Sequence, residues 1–398
     1  MNPLVLSAYT ASSCLGRGLP ATLAALRAQR SGLTPCTFAG VSLPACIGEV
    51  AGLDEAPLPQ ALKAAFDCRN NRLAWLGLAQ DGFAAAVSAS AGRYGPRRVG
   101  VYLGTSTAGI FESEQAYQRR DPQSGALPGD FRYQGAHNTF SLAAFVRAAF
   151  ALEGPALVIS CACSSSAKVF ASAQRALEVG LIDAALVGGV DSLCLTTLFG
   201  FQALQLVAGT PCAPFDRARS GISIGEAAGF ALLERPPESL DADAVLLLGT
   251  GETSDAHHMS APHPQGAGAR AAMERALAAA GVAAGDIDYL NLHGTGTRSN
   301  DEVEALAVNA VFGAQLPSSS TKGATGHALG AAGALEAVIC ALALREGLMP
   351  AGVNTRELDP ALPVHYLLEN RSEPVRCVLS NSFGFGGANC SLILGRAG

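Results

Sequence analysis

The sequence predicts an α/β fold with a parallel sheet, built as two halves of broadly similar element order. Short β-branched apolar segments alternate with longer helix-like segments on both sides of position 235, and this alternation is typical of βαβ units. Arg235–Asp241 (RPPESLD) carries two prolines among polar residues, which indicates a linker. We therefore divide the chain into an N-terminal half, 1–238, and a C-terminal half, 239–398.

The elements of the first half follow from local patterns taken in order. Short apolar runs indicate strands, and apolar residues at three- and four-residue spacing indicate helices. The predicted strands are Leu4–Ser7, Val99–Gly104, Ala156–Ile159, Ala184–Val187 and Ala228–Leu233. The predicted helices are Leu19–Gln29, most of Asp54–Ser90, and a segment that follows residue 163 and stops at Gly180. Tyr117–Tyr133 is expected at the surface, and the Gly/Ser/Arg-rich Phe215–Gly225 as a loop.

The second half repeats this alternation of strands and helices. Its predicted strands are Ala244–Leu248, Tyr289–Leu292, Val375–Ser382 and Cys390–Leu394. Its predicted helices are Ala267–Ala280, Val303–Val311 and Ala331–Arg345. The most apolar long stretch, Ala328–Leu344, contains Glu336 and many small residues, so it predicts a buried helix rather than a membrane span.

Composition restricts the class of protein. The 398 residues are 49% hydrophobic and 15% charged, which is typical of a well-buried globular protein and not of a disordered chain. A net charge of −6 argues against a general nucleic-acid-binding protein. The eleven cysteines are scattered without metal-ligand spacing, so we expect free thiols and no metal site. Free thiols and the lack of a recognisable secretory signal favour the cytoplasm.

Ala156–Gly180 (ALVISCACSSSAKVFASAQRALEVG) contains the strongest candidate nucleophile. Cys163 lies between a predicted strand and a predicted helix. The positive end of the helix dipole and the unpaired backbone N–H groups at that end favour a thiolate, which is the nucleophilic form of cysteine. A buried structural cysteine is the alternative, and local context alone does not separate the two.

Three further segments carry residues suited to catalysis. They are NLHGTGT (Asn291–Thr297), SSTKGATGHALGAAGALE (Ser319–Glu336) and NSFGFGGANC (Asn381–Cys390). The first offers His293, and the second offers Lys322 and His327, while the glycines of the third permit close backbone approach and free N–H donors. Each segment alone is equally compatible with packing, surface charge or a turn. Together they suit acyl transfer or carbon–carbon bond formation through a cysteine thioester.

In this order and spacing, CACSSS, HGTGT, KGATGHALGAAGALE and NSFGFGGAN resemble the β-ketoacyl-acyl-carrier-protein synthases. Pro214–Glu234 and Ser254–Gly268 resemble further segments of that family, so the resemblance covers most of the chain. The order Cys, His, His is similar to the elongating synthases, because the initiating ones have Asn where this chain has His327. The resemblance implies a thiolase-like five-layered αβαβα fold. Thiolases carry a second catalytic cysteine near the C-terminus, and Cys390 is not in that setting.

The resemblance also implies roles for the reacting groups. Cys163 would accept the acyl chain as a thioester, and the N–H groups of Cys163 and Phe383 would form the oxyanion hole. Phe383 would also act as a gate during loading. His293 and His327 would bind the malonyl thioester carbonyl as neutral imidazoles and assist decarboxylation. The product would be a 3-oxoacyl carrier protein and CO2.

Supporting residues follow from the same resemblance. Lys322 would polarise His327, with Glu336 as its buried partner. Asp301 and Glu304 would form a structural network behind the histidines. Thr295 and Thr297 would hold the phosphopantetheine arm, and Thr107 would lie at the acyl pocket. Ser260 and Gly384 would be further substrate-binding residues. No cofactor is expected, because the phosphopantetheine arm arrives with the carrier-protein substrate.

The expected partners are an acidic acyl carrier protein and a second subunit. The basic residues proposed to receive the carrier protein are Lys63, Arg69, Arg72, Arg119, Arg120 and Arg132. Family members form homodimers, whereas some polyketide members pair with an inactive chain-length factor. Fatty-acid biosynthesis is the first expectation. The alternatives are an aryl polyene or polyketide pathway, or a non-catalytic chain-length-factor role, against which the complete Cys-His-His-Lys set argues. Cys161, Ala261 and Thr107 depart from the usual family residues and leave the acyl-chain preference open.

Overall fold

The structure is a computed structural model that describes residues 2–398. Within that range the strands are β1 (Leu4–Ser13), β2 (Gly16–Arg17), β3 (Thr34–Pro35), β4 (Cys46–Gly48), β5 (Val99–Gly104), β6 (Ala156–Ile159), β7 (Ala184–Asp191), β8 (Ile224–Gly225), β9 (Ala227–Glu234), β10 (Val245–Ser254), β11 (Tyr289–Asn291), β12 (Pro317–Ser319), β13 (Leu348–Met349), β14 (His365–Tyr366), β15 (Arg371–Ser372), β16 (Cys377–Gly384) and β17 (Ala388–Arg396). The α-helices are α1 (Gly18–Arg27), α2 (Gln60–Phe66), α3 (Arg69–Leu78), α4 (Phe83–Tyr94), α5 (Ile110–Gln118), α6 (Ser141–Ala149), α7 (Ser165–Glu178), α8 (Leu195–Ala203), α9 (Ala267–Ala280), α10 (Arg298–Phe312), α11 (Lys322–Thr325) and α12 (Ala332–Glu346).

The strand order shows that the two halves have the same topology. The main sheet runs β14-β12-β11-β16-β17-β10-β1-β9-β7-β5-β6. Within each half, the five main strands lie in the order third, second, fourth, fifth, first: β6-β5-β7-β9-β1 in one and β12-β11-β16-β17-β10 in the other. The halves join where β1 and β10 pair antiparallel, with Leu4 opposite Leu247. The expectation of two similar halves is therefore confirmed.

The expectation of a parallel sheet is only partly correct, because the sheet is mixed. β5 pairs parallel with β6 and β7, and β11 pairs parallel with β12 and β16. The last strand of each half is antiparallel to both neighbours: β9 to β7 and β1, and β17 to β16 and β10. The β16–β17 connection is a short turn, Phe385–Gly387, and a connection of that length permits only antiparallel pairing.

Helices form the outer and middle layers of a five-layered αβαβα arrangement. α7 and α12 pack against each other between the two half-sheets. α3, α4 and α6 cover the outer face of the first half, and α9 and α10 cover that of the second. Every residue of α12 from Ala332 to Leu344 is buried, which confirms the prediction of a buried helix. Among residues 2–398, none of the helices is both long and apolar enough to cross a membrane.

Most predicted elements lie where the sequence placed them. Val99–Gly104, Ala156–Ile159 and Ala267–Ala280 are reproduced with the same bounds. Asp54–Ser90 contains parts of three helices rather than one, since the chain turns at Asp67 and again before α4, where Gly82 has a φ of +70°. The strands of two or three residues were not predicted, because so few residues carry no readable periodicity.

Two strand-end glycines allow α7 to begin directly against the sheet. A Cβ on Gly104 would lie 2.4 Å from the backbone N of Ser166, and one on Gly189 would lie 2.4 Å from the Ser166 Cβ. The first turn of α7, which follows Cys163, therefore packs on bare backbone of β5 and β7. Because the packing is this close, it fixes the position, relative to the sheet, of the turn that carries the candidate nucleophile.

We expect Gly104→Ala to lower the free energy of unfolding by about 1–3 kcal/mol, because the added methyl meets helix backbone that cannot move aside. Urea denaturation of the purified chain measures this change. Gly92→Ala in α4 is the matched control, since a Cβ there meets no atom within 4 Å. The control should be neutral or stabilising by up to about 1 kcal/mol. Equal effects of both substitutions would contradict this account of the packing.

Candidate active site

Cys163 lies in a strained turn between β6 and α7. Ala162, which precedes it, has a φ of +54°, a left-handed conformation that is unfavourable for alanine. The Ser165 hydroxyl holds the turn, since it accepts from the Cys161 N–H at 2.9 Å and donates to the Ala162 carbonyl at 2.6 Å. The Cys163 side chain is buried but lines a cavity that opens to the surface. Strain maintained by specific hydrogen bonds is typical of functional sites.

The Cys163 thiol carries its proton in the resting structure. Burial raises its pKa to about 12, although the Lys322 charge and a backbone hydrogen bond from Phe385 act in the opposite direction. The sequence-based expectation of a thiolate is wrong for this state, because loss of solvation outweighs the groups that favour the charge. His327 Nε2 lies 3.1 Å from the sulfur and is placed to take the proton during reaction.

His293 and His327 meet Cys163 from the second half of the chain. His293 follows the end of β11, and His327 precedes α12. Their rings are nearly perpendicular, at 82°, with centroids 5.3 Å apart. Burial, followed by the nearby Lys322 charge, holds the pKa of both imidazoles well below the ordinary value of 6.5. Both rings are therefore neutral at physiological pH, as the sequence analysis required.

Lys322 and Glu336 form a buried ion pair behind the histidines. Lys322 Nζ contacts Glu336 Oε1, donates to the His293 carbonyl at 2.5 Å and lies 3.4 Å from His293 Nδ1. Both side chains are at most 3% exposed. An ammonium group can only donate, so His293 Nδ1 accepts and the ring proton is on Nε2. Lys322 thus contacts His293 directly, whereas the sequence analysis assigned it to polarising His327.

Two carboxylates of α10 hold the loop that carries His293. Glu304 accepts from the backbone N–H groups of His293 at 2.8 Å and Gly294 at 2.7 Å. Asp301 accepts from the N–H of Thr295 at 3.1 Å and from that of Phe215 at 2.8 Å. Burial raises the pKa of Glu304 to about 7. These contacts match the structural role expected of this pair.

The backbone hydrogen bond to the Cys163 sulfur comes from Phe385, whereas Phe383 was expected. Phe383 lies within β16, opposite Asn389, and its ring packs 5.9 Å from that of His293. The Phe385 ring faces Phe201, with centroids 5.8 Å apart, in a turn where the φ of Gly386 is +80°. The expected oxyanion and gate roles therefore fit the second phenylalanine of FGFGG.

The cavity is lined by both polar and apolar residues. The polar lining includes Thr295, Thr297 and Ser260, three of the expected substrate-binding residues, together with Asp255, Asn300 and Asn389. The apolar lining includes Phe201, Leu206 and Ile222, which were not predicted from the sequence. Gly384 and Phe383 also line the cavity. Polar groups suit an amide-rich arm, and apolar side chains suit an acyl chain.

Thr107, expected at the acyl pocket, is not among the residues that line the cavity and instead bonds to Asp191 behind it. Its hydroxyl donates to Asp191 Oδ1 at 2.8 Å and accepts from the Ser192 N–H at 3.1 Å. Asp191 also accepts from Thr105, from Ser106 and from the Gly330 N–H. This carboxylate ties the loop after β5 to the segment that follows His327. Asp191 was not predicted from the sequence, although a carboxylate directly after the buried AALVGGV segment was a usable signal.

The proposed basic contacts for a carrier protein need one correction. Arg69 is buried, because its guanidinium bonds to Glu226 and also contacts Asp54 and Glu49. Its charge is neutralised inside the fold, so it cannot form part of a surface patch. Arg72 is half-buried and donates to Asp67 at 2.7 Å. The exposed members of the proposed set are Lys63, Arg119, Arg120 and Arg132.

The two buried histidines predict a loss of stability in acid. A group whose pKa is lower in the folded state binds fewer protons there, so stability falls as pH drops below about 6.5. One such imidazole contributes about 2 kcal/mol between pH 6.5 and pH 5. We expect His327→Gln to lose less unfolding free energy than the wild type over this range. Urea denaturation at both pH values checks it, with exposed His258→Gln as the control. A His327→Gln chain as acid-sensitive as the wild type would contradict the assignment.

The chain is similar to known proteins both in sequence and in structure. Sequence models described as Beta-ketoacyl synthase, N-terminal domain, and Beta-ketoacyl synthase, C-terminal domain, match residues 69–239 and 244–356. Nodulation protein E of Rhizobium meliloti (strain 1021) is 36% identical over 303 residues, which are 74% of this chain and 75% of that protein. A 3-oxoacyl-[acyl-carrier-protein] synthase 2 of Mycobacterium bovis is 38% identical over 248 residues, 59% of this chain and 60% of that one.

A solved ketosynthase matches over the whole chain. It is a ketosynthase in complex with its chain length factor from Xenorhabdus doucetiae, 40% identical, with a TM-score of 0.89 over 100% of this chain and 98% of that one. The thiolase-like fold expected from the sequence is therefore confirmed. The matched domains, the fold and the geometry around Cys163 all indicate the same family. The chain belongs to the β-ketoacyl synthase family and is an acyl-transferring condensing enzyme.

Proposed function

We propose that this enzyme elongates a carrier-bound polyene or polyketide chain by decarboxylative condensation with malonyl-acyl carrier protein, and that a chain-length-factor-type subunit completes it. The observation that carries the condensing role is the convergence of Cys163 with two neutral histidines in one open cavity. The 40% identity to a ketosynthase solved with its chain length factor supports the pathway and the partner.

In the first step, the acyl chain moves from its carrier protein to Cys163. His327 Nε2 takes the thiol proton as the sulfur attacks the thioester carbonyl. The Phe385 N–H, which reaches the sulfur in the resting state, is placed to stabilise the oxyanion. The carrier thiolate leaves, takes through solvent the proton that His327 gives up from Nδ1, and departs as a thiol. The acyl chain is then held against Phe201, Leu206 and Ile222.

In the second step, the malonyl thioester loses CO2 and its carbon attacks the acyl-enzyme. His293 carries its proton on Nε2, so it donates to the thioester oxygen as negative charge develops there. His327, which keeps the former thiol proton on Nε2 after losing its Nδ1 proton, donates to the same oxygen. The enolate carbon forms a bond to the acyl carbonyl, and the bond to the Cys163 sulfur breaks. The sulfur regains a proton, and a 3-oxoacyl carrier protein is released.

The second subunit is proposed at the edge of the sheet. β6 is the last strand on its side, and Ala156, Leu157, Val158 and Ile159 are all half-exposed although apolar. An apolar edge strand with free backbone groups favours addition of a strand from another chain. Because this strand leads directly to Cys163, a partner there would stabilise the nucleophile turn.

Fatty-acid elongation by a homodimer is the second candidate. Identity of 38% to a 3-oxoacyl-[acyl-carrier-protein] synthase 2 favours it, over about three fifths of each chain. A purely non-catalytic role is disfavoured, because Cys163, His293, His327 and Lys322 are all present and in contact. A cytoplasmic location and an acyl carrier protein docked near Lys63, Arg119, Arg120 and Arg132 stay proposals.

The test compares primers and subunit composition. The purified enzyme, alone and co-purified with a chain-length-factor subunit, is given short saturated, long saturated, unsaturated and aryl-primed acyl carrier proteins, followed by malonyl carrier protein. Mass spectrometry reads the 3-oxoacyl product, and native mass spectrometry reads the subunit composition. Extension of unsaturated or aryl chains at least tenfold faster, by the heterodimer, supports the proposal. Faster extension of long saturated chains by a homodimer would establish the fatty-acid alternative.

A further inference from the structure

The ligand atoms of the catalytic residues lie close enough to share one metal ion. The Cys163 sulfur and one nitrogen each of His293 and His327 lie within 4.8 Å of one another, and all three residues are buried. The Cys163 Sγ to His327 Nε2 separation is already 3.1 Å. Metal–sulfur and metal–nitrogen bonds of about 2.3 Å and 2.0 Å place tetrahedral ligands about 3.3–3.6 Å apart. The His293 nitrogen therefore needs to approach by little more than about 1 Å.

The donor set also has the right chemistry for a thiophilic cation. Thiolate and neutral imidazole are the ligands that Zn²⁺ prefers, and three protein ligands with one open position are typical of accessible zinc sites. Here the fourth position would face the cavity, which is open to solvent. A water molecule or a substrate thiol could occupy it.

We propose that Cys163, His293 and His327 bind one thiophilic divalent cation, such as Zn²⁺, and that the bound ion reversibly blocks acylation. As the metal–sulfur bond forms, the S–H bond breaks and the proton passes to the buffer. The His293 ring proton moves from Nε2 to Nδ1, which frees the Nε2 lone pair for the metal. The sulfur lone pair that attacks a thioester is then held by the metal. This inference goes beyond the proposed function, since it concerns the free enzyme and no acyl substrate.

Lys322 limits how tightly the ion binds. Its ammonium group lies 3.4 Å from His293 Nδ1 and keeps the ring proton on Nε2, the nitrogen that a metal in the cavity would need. The positive charge also repels a cation, and Glu336 offsets it only in part from the far side. Lys322→Met combined with Glu336→Gln removes both charges together. We expect this double variant to bind metal at least tenfold more tightly than the wild type, although its condensation is weaker.

A second set of histidines must be separated from this site. His257, His258 and His263 lie on the accessible loop that also carries Ser260, a cavity-lining residue, and the His257 and His263 rings are 5.3 Å apart. Surface histidines of this kind also bind divalent cations. They provide no thiolate ligand, so the spectrum of a bound metal distinguishes the two sites.

The experiment is a Co²⁺ titration of the reduced, chelator-treated full chain without oxygen, followed by Zn²⁺ competition. We expect one ion per chain, a thiolate-to-cobalt charge-transfer band, tetrahedral d–d bands and displacement by Zn²⁺. Cys163→Ala and Cys163→Ser should both lose the charge-transfer band and weaken binding at least about 100-fold. His257→Ala with His263→Ala should leave the band unchanged. A wild type without the band, or a band that persists in both Cys163 variants, would overturn the proposal.

Discussion

Replacement of Cys163 by alanine is expected to abolish condensation but to leave decarboxylation of malonyl carrier protein measurable. The acyl-enzyme needs the sulfur, and its loss should lower the condensation rate by at least about 10³-fold. Decarboxylation needs only donors to the thioester oxygen, and His293 is held by Glu304 and Lys322 rather than by Cys163. Release of CO2 from labelled malonyl carrier protein, measured beside product formation, checks this separation.

His293→Ala is the complementary variant. It leaves Cys163 and its neighbour His327 in place, so an acyl chain should still load onto the sulfur. It removes a donor to the developing enolate, so we expect CO2 release to fall by about 10²–10³-fold. If Cys163→Ala and His293→Ala lost both half-reactions equally, the division of roles between sulfur and imidazole would be wrong.

Replacement of Lys322 by methionine is expected to cause the second large effect, a loss of about 3–5 kcal/mol of unfolding free energy. The substitution leaves Glu336 without its partner inside α12, where every neighbouring residue is buried, and an uncompensated buried charge has a cost of this size. It also removes the donor to His293 Nδ1, so condensation should fall as well. Urea denaturation and the condensation rate are measured on the same preparation.

The double variant Lys322→Met, Glu336→Gln separates stability from positioning. With both charges removed, most of the lost unfolding free energy should return. Condensation should stay impaired, because His293 still lacks its Nδ1 donor. Full recovery of the rate together with stability would show that Lys322 acts only as a structural ion-pair partner.

The reacting residues were predicted because four motifs together resemble one family, since no single motif distinguished catalysis from packing. Cys163 follows a short apolar strand and precedes a helix, and His293 follows another strand. The duplicated topology was visible only as a similar alternation of elements. Its proof is the matching strand order, which depends on pairings between residues far apart in the chain, such as Leu4 with Leu247.

The wrong predictions concern residues whose location, protonation or hydrogen bonding depends on burial or on the exact position of the backbone. Arg69 is a charged residue of the kind usually found at the surface. Its buried partner Glu226 lies 157 positions away in the sequence, so only the fold brings the two together. The thiol state of Cys163 depends on desolvation by the assembled core, which no local pattern reports. Phe383 and Phe385 are two residues apart, so which N–H reaches the sulfur depends on the turn that ends β16.

Acyl transfer to Cys163 alone, among eleven cysteines, tests the account most directly. The enzyme is incubated with an acyl carrier protein, digested, and mapped by mass spectrometry for the thioester. We expect one acyl group per chain, on the peptide that contains Cys163, and none in the Cys163→Ala variant. An acyl group on another cysteine, or none on the wild type with its partner subunit present, would contradict the assignment of Cys163 as the nucleophile.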